Sequence, residues 1–236
     1  MSYMKSALNV LLNTTPEQIE RLKNLQTSFA EVCTSLGPIV QQTRCWNRVA
    51  LHHLAYRSLR QAFPQMGSQM VCNAIYSVSR TCRLVFQSPA SPFNISAHPE
   101  RPLPLLQFAP SAPVYFDRHT LSLKGDMLSM YTLDGRINFQ IALTIRDQER
   151  FHQEKLREIV LSHTHLGYQL SFSFSADEGD IKSPINTHAE LPEYLIVLSS
   201  SSASPSLSQP PMELYPKPQS TPLKPEALNT VCSKTS

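Results

Sequence analysis

Glycine is scarce in this chain, six in 236 residues, and the shortage excludes whole classes of chemistry. Neither GxGxxG nor GxxxxGK followed by Ser or Thr can be read anywhere, so no backbone cradle for nucleotide phosphates is expected. The five cysteines, Cys33, Cys45, Cys72, Cys82 and Cys232, are odd in number and form no CxxC pair. The first four fall in helical patterns, where a reduced, buried thiol is the plain reading, and a reducing compartment follows. No apolar run approaches the ~18 residues of a membrane span, and no apolar segment follows a basic start. The expectation is a soluble, cytoplasmic protein. With no GxSxG and no defensible Cys/His pairing, nothing supports a nucleophilic enzyme.

A more local absence is more informative. Between Glu31 and Glu100 there is no Asp or Glu and no Lys, yet Arg44, Arg48, Arg57, Arg60, Arg80 and Arg83 all lie there. The formal net charge of +3 therefore conceals a strongly positive segment in which no nearby carboxylate pairs with the arginines. Arginine suits phosphate because its planar fork donates two parallel hydrogen bonds and is weakly hydrated. A solvated basic face is the ordinary alternative. The length of the acid-free stretch and the choice of arginine over lysine favour nucleic acid. Tyr76, beside Arg80, could stack a base or merely snorkel, and Asn73 shares its predicted side.

What is present is enough for a core: 41% of the residues are hydrophobic. Ser6 to Leu12 reads as a short strand. In the next stretch Thr15 suits an N-cap, Pro16 the first helical position, and Gln18 completes a capping box. Ile19, Leu22, Leu25, Phe29, Val32 and Leu36 then recur at helical spacing as one buried face, which Gly37-Pro38 stops. A second helix is expected over about Thr43 to Phe63 and a third over about Ser68 to Phe86. In the third, Val71, Ile75, Val78, Cys82 and Val85 share an arc at ~100° per residue, with Asn73, Tyr76, Arg80 and Arg83 opposite. Prolines crowd Gln87 to Pro113, which reads as an extended connector.

Beyond it the period becomes two. Pro113 to Leu143 predicts three antiparallel strands with turns at Lys124-Gly125-Asp126 and Asp134-Gly135. Arg146 to Leu161 reads as a short helix leading into a strand, and Gly167 to Ser175 as a further strand. Tyr194 to Leu198 resembles the start of another strand, after which serine and proline dominate and disorder is expected. The fold class is α+β. His163 and His165 share a strand face but lack a third ligand, and His52 and His53 point to different helix faces. Asp177, Glu178 and Asp180 lack an EF-hand pattern. No metal or cofactor site is expected.

Three stretches, "TPEQIERLKNLQTSFAEVC", "CWNRVALHHLAYRSLRQAFPQMGSQMVCNAIYSVSRTCR" and "VYFDRHTLSLKGDMLSMYTLDGRINFQI", carry a family resemblance. Over about Ser6 to Ser175 the chain resembles the N-terminal half of the TnpB (OrfB-type) transposon-associated proteins, relatives of the type V CRISPR effectors. The resemblance implies a small antiparallel β-barrel-like wedge domain from 1–13 and 105–176 and a helical recognition lobe at 14–90 inserted into it, while composition gives a low-complexity, mostly disordered tail at 177–236. It further implies an RNA scaffold held by these parts, with sequence read through base pairing to DNA. Arg57, Arg60, Arg80 and Arg83 become the foremost phosphate contacts, and Arg136 a brace of the "TLDGRI" turn. In the family a RuvC-like nuclease follows, its first strand carrying a metal-binding aspartate in a run similar to "YLGVDLG". Here "EYLIVLSSS" stands in that place, with Leu198 at the aspartate position. Two-metal cleavage needs converging carboxylates, so the resemblance implies binding of a guide-like RNA, and of DNA through it, without cleavage.

Two further readings stand beside this one. The chain could be the product of a decayed transposon gene, which a hidden "GVDLG" in another frame past Leu195 would favour. It could also be an interaction module that presents the apolar stretch Gly67 to Ile75 to a partner protein.

Overall fold

The structure, a computed structural model, describes residues 6–175 and 191–198. The expected tail at 177–236, apart from 191–198, lies outside these residues, as do the Asp177, Glu178 and Asp180 cluster and Cys232. The first strand, β1 (Ser6–Leu11), leads into helix α1 (Pro16–Ser35). The capping box forms as expected: the Thr15 side chain accepts from the Gln18 N–H, and the Gln18 side chain accepts from the Thr15 N–H. Leu22, Leu25, Phe29, Val32 and Leu36 are fully buried, whereas Ile19 is 42% exposed. The apolar repeat therefore begins one turn later than its periodicity suggests.

Gly37-Pro38 does end α1, and then starts a short α2 (Gly37–Thr43) that the sequence pattern did not reveal. A Cβ at Gly37 would sit 2.3 Å from the Leu106 carbonyl oxygen. Only glycine permits this close approach of two backbones. The second long helix, α3 (Arg48–Ala62), starts five residues later than expected. Arg44 caps α2 in the left-handed conformation (φ 52°), and Asn47 opens α3 by accepting from the Val49 and Ala50 N–H groups. Asparagine at an N-cap is worth ~1 kcal/mol, enough to fix the boundary there.

Helix α4 (Ser68–Gln87) was expected to have one buried and one polar face. It is instead enclosed nearly all round, with Asn73, Ser77, Ser79 and Thr81 buried alongside Met70, Ile75, Val78 and Phe86. Small hydroxyls tolerate such enclosure because they can bond back into the helix.

The connector holds a strand, β2 (Leu105–Phe108), that pairs antiparallel with the last described strand, β9 (Leu195–Leu198). Between them in the chain come β3 (Val114–Phe116), β4 (Leu121–Lys124), β5 (Met127–Thr132), β6 (Gly135–Gln140), α5 (Ile145–Gln153), β7 (Lys155–Thr164) and β8 (Gly167–Ser175). The expected meander is β4-β5-β6. The preceding β3 joins a different, four-stranded antiparallel sheet of order β1-β8-β7-β3. The α+β class with antiparallel sheets holds, and among the described residues none of the three sheets closes on itself.

Alternation places Leu170, Phe172 and Phe174 of β8 in the core, and the β1 register sets Leu8 opposite Phe172 and Val10 opposite Leu170. Phe151 of α5 packs edge-on against Phe172 and Phe174 with centroids 5.2 and 5.1 Å away. Burying each such ring contributes ~2–3 kcal/mol. The three-stranded sheet is tied to the helical part at three points, one of them the Gln18 side chain of α1, which donates to the Asn138 carbonyl (3.1 Å). The Tyr131 hydroxyl accepts from the Gly67 N–H (2.8 Å) and donates to the Gln65 carbonyl (3.2 Å). Arg21 donates to the Thr132 hydroxyl and to the Asp134 and Gly135 carbonyls. Arg21, not Arg136, thus holds the "TLDGRI" turn. Arg136 reaches across the sheet to Ser129, Ser122 and the His119 carbonyl.

Candidate nucleic-acid interface

Because α4 is enclosed, its accessible part shrinks to a strip. Gln69, Cys72, Tyr76, Arg80, Arg83 and Gln87 are its half-buried or exposed positions on one line, spaced three or four residues apart. At ~1.5 Å per residue the strip is about 27 Å long. Two of the expected arginines and the tyrosine therefore share one line on one rigid element. Arg48, at the start of α3, joins them: its guanidinium lies 5.3 Å from the centroid of the Tyr76 ring.

The interior edge of this strip is a polar cluster. The Tyr76 hydroxyl donates to Glu158 Oε1 at 2.7 Å. Arg80 Nε lies 3.1 Å from the same oxygen and 3.3 Å from the Tyr115 hydroxyl. Tyr76 and Tyr115 meet edge to face, with centroids 5.6 Å apart. Burial, reinforced by the Glu158 charge and hydrogen bond, pushes the Tyr76 phenol up to about 12. Burial likewise raises Tyr115. For Arg80 burial alone would lower the value, but the neighbouring Tyr115 and Glu158 outweigh it and hold it above its ordinary range. All three groups therefore keep their protons near neutral pH.

This cluster corrects one expectation. The sequence offers the arginine segment no nearby carboxylate, yet Glu158 pairs with Arg80. The partner comes from β7, 78 positions further along the chain, and is brought there by the fold. A bulge at Arg157, between Leu156 and Glu158, breaks the alternation of β7. Beyond it, Glu158 and Val160 face the same way as Tyr115, which is paired with Val160. Bulges commonly re-aim a side chain in this manner. With the Arg80 side chain 42% exposed, the pair contributes ~1 kcal/mol or less to stability; its effect is on geometry.

The remaining expected residues do not join the strip. Asn73 is 6% exposed and its amide points at Thr120 and the Met70 sulfur. The loop before β4 covers the side it was expected to show. Arg44 donates to the Pro99 carbonyl. Arg60 donates to the Met66 carbonyl beyond the end of its helix, a stabilising use of a cation at a C-terminus. Arg57 is exposed on the side of α3 away from Leu51, Ala55 and Leu59. Arg83, by contrast, stands on the strip, exposed and donating to Ser79 one turn back.

In the stretch Gly67 to Ile75 the apolar residues Met70, Val71, Ala74 and Ile75 are at most 1% exposed, so they are packed inside the fold. His163 packs on Tyr168, and no group of three metal-ligating side chains occurs among the described residues. No helix among them is long and apolar enough to cross a membrane. Leu198 ends β9, opposite Leu105 and 44% exposed. Sequence reasoning found Arg48, Tyr76, Arg80 and Arg83 but missed Glu158 and Tyr115, for which the only local signal was their place in alternating segments. Compared with protein-family models and with curated proteins, the chain matches none.

Proposed function

We propose that the chain is a TnpB-like wedge and recognition module that binds RNA, and DNA through that RNA, without cleaving either. On this reading the β1-β8-β7-β3 sheet is the wedge part and α1–α4 the inserted lobe. One observation carries it: the accessible strip of α4 presents Arg80 and Arg83 with Arg48 alongside, on helices that contain no Asp or Glu. A buried helix gives such a strip a fixed direction, and fixed guanidiniums suit a phosphate backbone. Cleavage is not part of the proposal, because the strand aligned with the family's metal-binding strand carries Leu198, and an aliphatic side chain coordinates no Mg²⁺.

The test is titration of a labelled hairpin RNA at several salt concentrations. Three phosphate contacts predict a log–log slope of about −2 to −3 from counterion release. Binding that ignores salt, or no binding at all, overturns the reading.

A further inference from the structure

We propose that Glu158 and Tyr115 are positioning residues that grip Arg80 by its Nε edge, so that its Nη edge presents a two-pronged fork to one phosphodiester of bound RNA. This rests on the RNA-binding reading above and adds to it the place where the backbone is held.

Three facts converge on it. Arg80 spends only Nε on protein, shared between Glu158 Oε1 at 3.1 Å and the Tyr115 hydroxyl at 3.3 Å. The two Nη groups, which hold four of the five guanidinium donors, have no partner among the described residues. The holding groups are themselves fixed: Tyr115 is 9% exposed, the Glu158 side chain 16%, and Glu158 also accepts from Tyr76. A guanidinium anchored at one edge loses less freedom when the other edge binds, so the anchoring favours a planar, bidentate acceptor such as phosphate. Charge points the same way. Arg83 is the i+3 neighbour of Arg80 and Arg48 lies over the adjoining Tyr76. Two carboxylates, Glu158 and the Asp117 that accepts from Gln69 at the start of the strip, face three guanidiniums, which leaves an excess of about one positive charge. Like charges at i, i+3 spacing repel, and an anion between them relieves the repulsion.

The sign of one substitution separates this role from bystander electrostatics. If Glu158 merely sat near the RNA, Glu158→Ala would remove a repulsive charge and binding would tighten. If it positions Arg80, Glu158→Ala weakens hairpin-RNA binding about tenfold, while Glu158→Gln, which keeps the acceptor, stays within about threefold. Tyr115→Phe removes a holding hydroxyl without changing charge or the ring, and weakens binding a few-fold. It gives an independent reading should Glu158→Ala fold poorly in a thermal melt. Arg80→Lys loses affinity but keeps the salt slope, because the charge remains and only the fork is lost. Tighter or unchanged binding by a folded Glu158→Ala, or an unchanged Tyr115→Phe, overturns the positioning role while RNA binding stands. Failure of the unaltered chain to bind the hairpin overturns both.

Discussion

Helices α3 and α4 carry the same kind of charge and no acid, yet they use it in opposite ways. Arg48 and Arg57 of α3 are about 180° apart round the axis at ~100° per residue, and Arg60 closes the end of its own helix. In α4 the surroundings enclose the helix on all sides but one, so Arg80 and Arg83 emerge together. Arginine number does not make an interface. Convergence does, and burial of the rest of the helix produces it.

The largest expected effect in this comparison is on thiols. Cys82 is fully buried in α4, whereas Cys45, in the loop before α3, is partly exposed. A buried thiol reacts through opening of the fold, so Cys82 should be protected from an aromatic disulfide reagent by on the order of 10³-fold or more relative to Cys45. Comparable rates would show that α4 is not enclosed. Burial also pushes the Cys82 thiol from 9.0 up to about 12. Its neutral form is favoured in the fold, so the associated stability is full below pH 9 and is lost as pH rises towards 12; melting temperatures across that window check the sign.

Next comes packing. Ile75→Ala should cost ~2–5 kcal/mol, whereas Leu54→Ala on α3, a site 54% exposed, should stay within ~0.5 kcal/mol. Urea unfolding compares the two, and equal costs would erase the distinction. Smaller again is the binding contrast. Arg80→Ala with Arg83→Ala should weaken hairpin-RNA binding by about 10- to 100-fold and flatten the salt slope by about 1.4 to 1.8, while Arg57→Ala should change affinity less than about twofold. The smallest effect concerns the caps. Asn47 caps α3 with its side chain, but Gly67 offers α4 none. Asn47→Ala should therefore lower stability by ~1 kcal/mol, read as a shift in urea midpoint.

Local rules were legible where a few neighbouring residues decide the outcome. The Thr15 to Gln18 box, the alternation of β8 and the turns of the β4-β5-β6 meander all depend on contacts within a few positions. Other features depended on distant partners. The strand β2 is short, lies among prolines and forms against Leu195–Leu198. The break at Arg44 needs a left-handed residue that no pattern of apolar spacing marks. For the candidate site, the arc of Tyr76, Arg80 and Arg83 could be read from helical geometry. Asn73 could not be told apart from them, because the loop that covers it begins more than forty residues later. Glu158 was invisible for the same reason, and its facing depends on a bulge that alternation does not announce.

The pairing of β1 with the much later β8 has a consequence for biosynthesis. Residue 8 finds its partner only at residue 172, so β1 leaves the ribosome long before β8 exists. At ~5–20 residues per second it waits on the order of ten seconds or more with its backbone groups unmatched. Helices α1–α4 and the local β4-β5-β6 meander are complete before then, and β1 spends that interval unpaired, the period in which a chaperone would have most to shield.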